Sequence, residues 1–71
     1  MKTNLNMRIA ERLAVAVVND AIPLGGFATA LCQAFCKADS SNRAKILKGF
    51  ESDFLAWNEY WGNEVNAWHA D

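Results

Sequence analysis

Apolar residues recur at intervals of three and four through most of this 71-residue chain, the spacing that gathers them on one face of an α-helix. In the first segment Leu5, Ile9, Leu13, Ala16 and Val17 share a face, and Arg8, Glu11 and Arg12 fall on the other. Thr3 or Asn4 can start this helix, because a side-chain oxygen there accepts one of the amides left unpaired in the first turn. Its end is expected near Asn19 or Asp20. The run LAVAVV also reads as a buried strand, but no second strand is at hand to pair with it. The stretch NDAIPLGG, residues 19 to 26, is the clearest interruption: Pro23 disfavours helical geometry at Ile22, and Gly25 and Gly26 loosen the backbone further. A second helix follows over about 24 to 38, with Leu24, Phe27, Leu31, Ala34 and Phe35 on one face. Its alanines permit close approach, and Lys37 is its one charge, so it reads as the most buried segment.

ADSSN, residues 38 to 42, stops one helix and starts another, with Asp39, Ser40 or Ser41 as the cap. From there Ile46, Leu47, Phe50, Phe54, Trp57, Trp61, Val65 and Trp68 keep helical spacing to about residue 69. Gly62-Asn63 offers a natural break, since Gly suits the end of a helix and Asn the start of the next. The pattern therefore predicts one all-α domain over 1–71, a small three-helix bundle with helices at about 4–20, 24–38 and 41–69. The third is the longest, either continuous or broken near Gly62.

Composition changes this picture in two ways. The chain lies near the lower size limit for a core that holds without disulfides, metals or a partner, so the core must be efficient or shared. Charge is also unevenly placed. Residues 1 to 48 carry seven basic side chains against three acidic ones, a net of +4, whereas residues 49 to 71 carry five acidic and no basic ones. That acidic tail also holds all three tryptophans and the single tyrosine. Part of this aromatic surface is needed as core, with Phe50, Phe54, Trp57 and Trp61 expected to face the first two helices. Leu55, Tyr60, Val65 and Trp68 lie off that line or beyond its reach. Tyrosine and tryptophan dominate interface hot spots, and same-sign patches steer association. Glu59, Tyr60, Glu64, Val65, Trp68 and Asp71 are accordingly the candidate partner-binding residues.

No constellation for chemistry competes with this reading. Cys32 and Cys36 sit one turn apart, but a structural zinc site needs four closed ligands, and His69 is the one histidine. Glu51, Asp53, Glu59 and Glu64 need a dry pocket to act as acid and base, and a bundle this small has little room for one. The expectation is therefore a non-enzyme with no cofactor and no metal. A helix-turn-helix is disfavoured because the segment after the turn, FATALCQAFCK, lacks base-reading side chains, although Arg43, Lys45 and Lys48 form a small basic cluster. The acidic character of the aromatic segment argues against anionic membranes, and no apolar run is long enough to span one. Glu11 and Arg12 interrupt what would be a signal-peptide core, so a cytoplasmic protein is expected.

The sequence thus points to a small regulatory protein that presents an acidic-aromatic helix to a larger partner with a basic surface. Inhibitors of host nucleases or defence complexes encoded by phages and mobile elements share this size and composition, and such a face can imitate nucleic acid. Two other readings carry weight: a homo-oligomer packed through the tryptophan-rich helix, and a small DNA-binding regulator.

Overall fold

The computed structural model describes residues 6–69, the side chain of His69 excepted. Four helices follow one another: α1 (Met7–Val18), α2 (Gly26–Lys37), α3 (Ser40–Gly49) and α4 (Glu51–His69). The described residues include no strand. The radius of gyration, 11.1 Å, is about that of a compact chain of this length, so the helices fold back on one another. No described helix is long and apolar enough to cross a membrane.

α1 is the centre of the molecule and packs against all three other helices. It starts two residues later than the nearer of the two expected caps. Asn6 is the cap, its Oδ1 accepting from the Ile9 amide at 2.9 Å, while Thr3, Asn4 and Leu5 lie outside the described residues. Leu13, Ala16 and Val17 are buried as their spacing predicts, joined by Ala10 and Ala14. Three alanines on this face let neighbouring helices approach closely. The helix ends in a Schellman motif: the Asp20 amide donates to Val17 O at 3.1 Å and the Ala21 amide to Ala16 O at 2.9 Å. That closure requires a left-handed residue, and Asp20 takes it with φ of 62°. Asn19 adds a bond from its Nδ2 to Val15 O. The chain then turns so that Ile22 drops into the core, 2 % exposed.

α2 is rotated from its expected setting. Ala28, Cys32 and Phe35 are its buried residues, whereas Phe27 is 65 % exposed and Ala34 also faces out. It is therefore not the most buried segment; α1 is. The correction has a physical reason: Ala28, Cys32 and Phe35 form an i, i+4, i+7 stripe of two small residues and one large one. That stripe can seat close to alanine-rich α1, with the single large ring reaching past it toward α4. Phe35 meets Phe54 there, ring centroids 5.4 Å apart.

The long third helix divides, though not at Gly62. α3 stops at Gly49, and Phe50, with φ of −121° and ψ of 27°, leaves helical geometry for one residue. The hydrogen-bond ladder spans the break, since the Phe50 amide donates to Ile46 O and Phe50 O accepts from the Phe54 amide. The bend turns α4 onto α1 and lets Phe54 reach Phe35. Gly62 lies inside a continuous helix. Asp39 caps α3 as expected, its Oδ1 accepting from the Asn42 amide at 2.9 Å.

Candidate interaction surface

α4 presents two unlike flanks on either side of the line that faces α1. That line is set by Phe54, fully buried, and Val65, 3 % exposed, which are eleven residues or about three turns apart. Val65 was expected at a partner-binding surface, and its place in the core removes it from there. The reason is register: eleven residues bring the helix back to nearly the same azimuth, so whatever buries Phe54 buries Val65.

The first flank carries Asp53, Trp57, Tyr60, Glu64 and Trp68, placed together by steps of three and four. Tyr60 is 77 % exposed and Trp68 43 %. The Tyr60 ring stands edge-on to Trp61, centroids 5.0 Å apart and planes at 79°. Trp61 and Trp57 are half-buried, and Trp57 packs edge-on against core Phe54 at 5.3 Å. Trp57 and Trp61 thus each lean on the core, and Tyr60 rests on Trp61, which holds that outer ring in place. Asp53 and Glu64 are both exposed among them. Elsewhere, Phe27 of α2 lies over Phe50, centroids 5.9 Å apart.

The second flank is amide-rich. Ile9 and Arg12 of α1 and Asn58, Gly62, Asn63 and Asn66 of α4 line a groove of about 470 Å³, with Val65 among its walls. Glu59, expected on the docking surface with Tyr60, lines this groove instead. Among the described residues nothing forces a glycine at this mid-helix position: a Cβ on Gly62 would meet nothing nearer than Asn58 Oδ1 at 3.9 Å. A glycine in a helix interior costs about 1 kcal/mol relative to alanine.

The six candidate residues thus separate. Tyr60, Glu64 and Trp68 share one flank, Glu59 lies on the other, Val65 is core, and Asp71 lies outside the described residues. Sequence reasoning missed Asp53 as an exposed member of this flank, and Phe27 as an exposed ring. A helical projection from Tyr60 would have found Asp53, seven residues back. Nothing in the local sequence around Phe27 reveals that α2 turns it outward.

Arg43 was also misplaced by the sequence, which put it in a basic cluster with Lys45 and Lys48. It reaches inward. Its Nη1 donates to Glu11 Oε2 at 2.9 Å, Nε to Phe35 O at 2.9 Å and Nη2 to Cys36 O at 2.8 Å. The guanidinium also lies 5.6 Å from the centre of the Phe35 ring. One side chain thus ties α1, the last turn of α2 and α3 together, capping the Cys36 carbonyl and adding a second donor to Phe35 O, which also accepts from the Ala38 amide. Lys45 and Lys48 remain exposed.

The groups that could do chemistry are scattered. Burial pushes the Cys32 thiol up from 9.0 to about 11, and the neighbouring Cys36 adds to the effect. Cys36 is raised too, again mainly by burial, with Arg43 pulling it down and Glu11 pushing it up. Both are therefore protonated at neutral pH, the less reactive form. No three His, Cys, Asp or Glu side chains among the described residues are grouped so as to hold a metal ion. No family model, curated protein or solved structure matches this chain.

Proposed function

We propose that this chain is a non-enzymatic interaction protein that docks on a larger protein with a basic surface through the acidic and aromatic flank of α4. The observation that carries this reading is Tyr60, 77 % exposed on the edge of Trp61, with Glu64 one turn on and Asp53 two turns back. Large aromatic groups anchored on a core and flanked by one sign of charge are the usual make-up of a hot spot: the rings supply buried area, and the charges select orientation and partner. No lysine or arginine follows Lys48 to neutralise the flank from within its own helix. A regulator of a nucleic-acid-handling protein, with carboxylates standing where phosphates would lie, is the form of this function most in keeping with the charge. Inhibitors of nucleases or defence complexes encoded by phages and mobile elements are of this kind. DNA binding is the weaker reading, because Arg43 is spent on Glu11 and two carbonyls and leaves Lys45 and Lys48 as the basic cluster.

The test is capture of tagged protein with its partners from nuclease-treated lysate, beside Tyr60→Ala and a double reversal, Asp53→Lys with Glu64→Lys. One stoichiometric partner lost in both variants, with far-ultraviolet circular dichroism unchanged, is the expected result. A partner retained by both variants would place the docking surface elsewhere.

A further inference from the structure

We propose that the amide flank of α4 is a self-association seam, at which a second copy of this chain docks with its α4 antiparallel, about a two-fold axis passing near Gly62. This inference does not rest on the docking function above, since it concerns the opposite flank of the helix.

Three observations converge on it. The first is Gly62 itself. It lines the groove between α1 and α4, its φ is not positive, and among the described residues an added Cβ would touch nothing closer than 3.9 Å. Neither backbone conformation nor packing among the described residues calls for glycine. What glycine does provide is bare backbone, which lets another chain come close.

The second is the pattern around it. Asn58 and Asn66 lie one turn to either side of Gly62. An isologous contact about an axis at Gly62 brings Asn58 of one copy to Asn66 of the other, and Asn66 to Asn58. A carboxamide has both donors and an acceptor, so it pairs with its own kind, which few side chains do. Neither Asn58, Asn63 nor Asn66 spends its carboxamide on a hydrogen bond to another described residue. Their hydrogen-bonding capacity is thus available to a second copy.

The third is charge. Among the described residues that line the groove, Glu59 is acidic, Arg12 is basic and the rest are neutral. The aromatic flank carries Asp53 and Glu64, which would face like charges if it met itself, and like-charge juxtaposition is costly across an interface. A second copy is therefore suited to the amide flank, and a basic partner to the aromatic one. An antiparallel pair joined in this way leaves both aromatic flanks outward, so the dimer is bivalent toward its partner.

Sedimentation equilibrium over a concentration series reaching about 0.5 mM tests the idea, because mass action shifts a real dimer across that range. Wild-type protein is expected to move from monomer toward dimer mass, and Tyr60→Ala to behave like it. Gly62→Ala is expected to weaken association at least about tenfold while raising the melting temperature of the monomer, since alanine favours the helix. Two double variants read the register. Asn58→Asp with Asn66→Asp sets carboxylates against each other in both halves of the seam and should give monomer. Asn58→Asp with Asn66→Lys sets opposite charges there and should restore the dimer. A wild type that remains monomeric throughout would overturn the proposal, as would two double variants that associate alike, because residues two turns apart in one helix would not tell those pairs apart.

Discussion

α1 and α4 lie side by side, yet they are built from different material and bury different shares of it. α1 has 12 residues and places Ala10, Leu13, Ala14, Ala16 and Val17 in the core. α4 has 19 residues, and of those whose side chains are described Phe54 and Val65 are buried. The short helix with small side chains is the hub, while the long helix with large ones is peripheral. The difference follows from geometry: alanine lets three neighbours converge on one helix, whereas a tryptophan holds a neighbour at arm's length. The aromatic wealth of α4 is thus only partly a folding device. One ring closes the core, two half-buried tryptophans lean on it, and Tyr60 and Trp68 are turned outward.

The largest expected effect sharpens that division within α4. Phe54→Ala removes a fully buried ring in contact with Phe35 and Trp57, a loss of about 3–5 kcal/mol. A core in a domain this small rarely supplies more than about 3–5 kcal/mol. The variant is therefore expected to be unfolded at room temperature by circular dichroism. Tyr60→Ala, on an exposed position, should stay within about 0.5 kcal/mol of wild type. Equal destabilisation by the two would break the comparison, because α4 would then be core throughout.

An intermediate effect is expected where α1 is tied to its neighbours. Arg43→Lys keeps the charge but cannot present the planar fork that reaches Glu11, Phe35 O and Cys36 O together, and should cost about 1–2 kcal/mol. Glu11→Gln breaks just the ion pair, whose partners are 28 % and 40 % exposed, and should cost no more than about 1 kcal/mol. Urea melts of both variants check the order. If Glu11→Gln proves the more harmful, the ion pair to α1 rather than the carbonyl bonds to α2 is the main contribution of Arg43.

The smallest effect is at the end of α1. Asp20 occupies a left-handed backbone conformation that glycine adopts more easily, so Asp20→Gly should stabilise the protein by about 0.5 kcal/mol, after allowance for the greater freedom of glycine in the unfolded chain. That corresponds to a rise of about 2–4 °C in melting temperature. A fall would mean that the Asp20 side chain supports the closure in a way its backbone does not account for.

Local signals were legible wherever a few adjacent residues decide the outcome. Asp39 is a capping side chain and acts as one. Pro23 with Gly25 and Gly26 separates two helices, and the face of α1 follows its spacing. The candidate surface was half legible: Tyr60, Glu64 and Trp68 share a flank, and helical spacing alone places them there. Val65 was assigned to it as lying off or beyond the core-facing line, and Glu59 for its charge, but Val65 returns to the azimuth of Phe54 and Glu59 lines the other flank.

By itself, then, the sequence determined that the chain is helical, where two of its breaks fall, and that its acidic and aromatic residues lie together in the last segment, because periodicity, turn chemistry and composition are local properties. The tertiary structure decided which way each face points. Phe50 rather than Gly62 became the bend because a turn at that point carries Phe54 to Phe35 and α1. Phe27 faces out because the smaller stripe of α2 seats better against an alanine-rich helix. Arg43 turned inward because Glu11, 32 residues away, and the carbonyls of the last turn of α2 meet at one point. Spacing states which residues share a face, but only packing between distant segments assigns that face to the core, to a groove or to solvent.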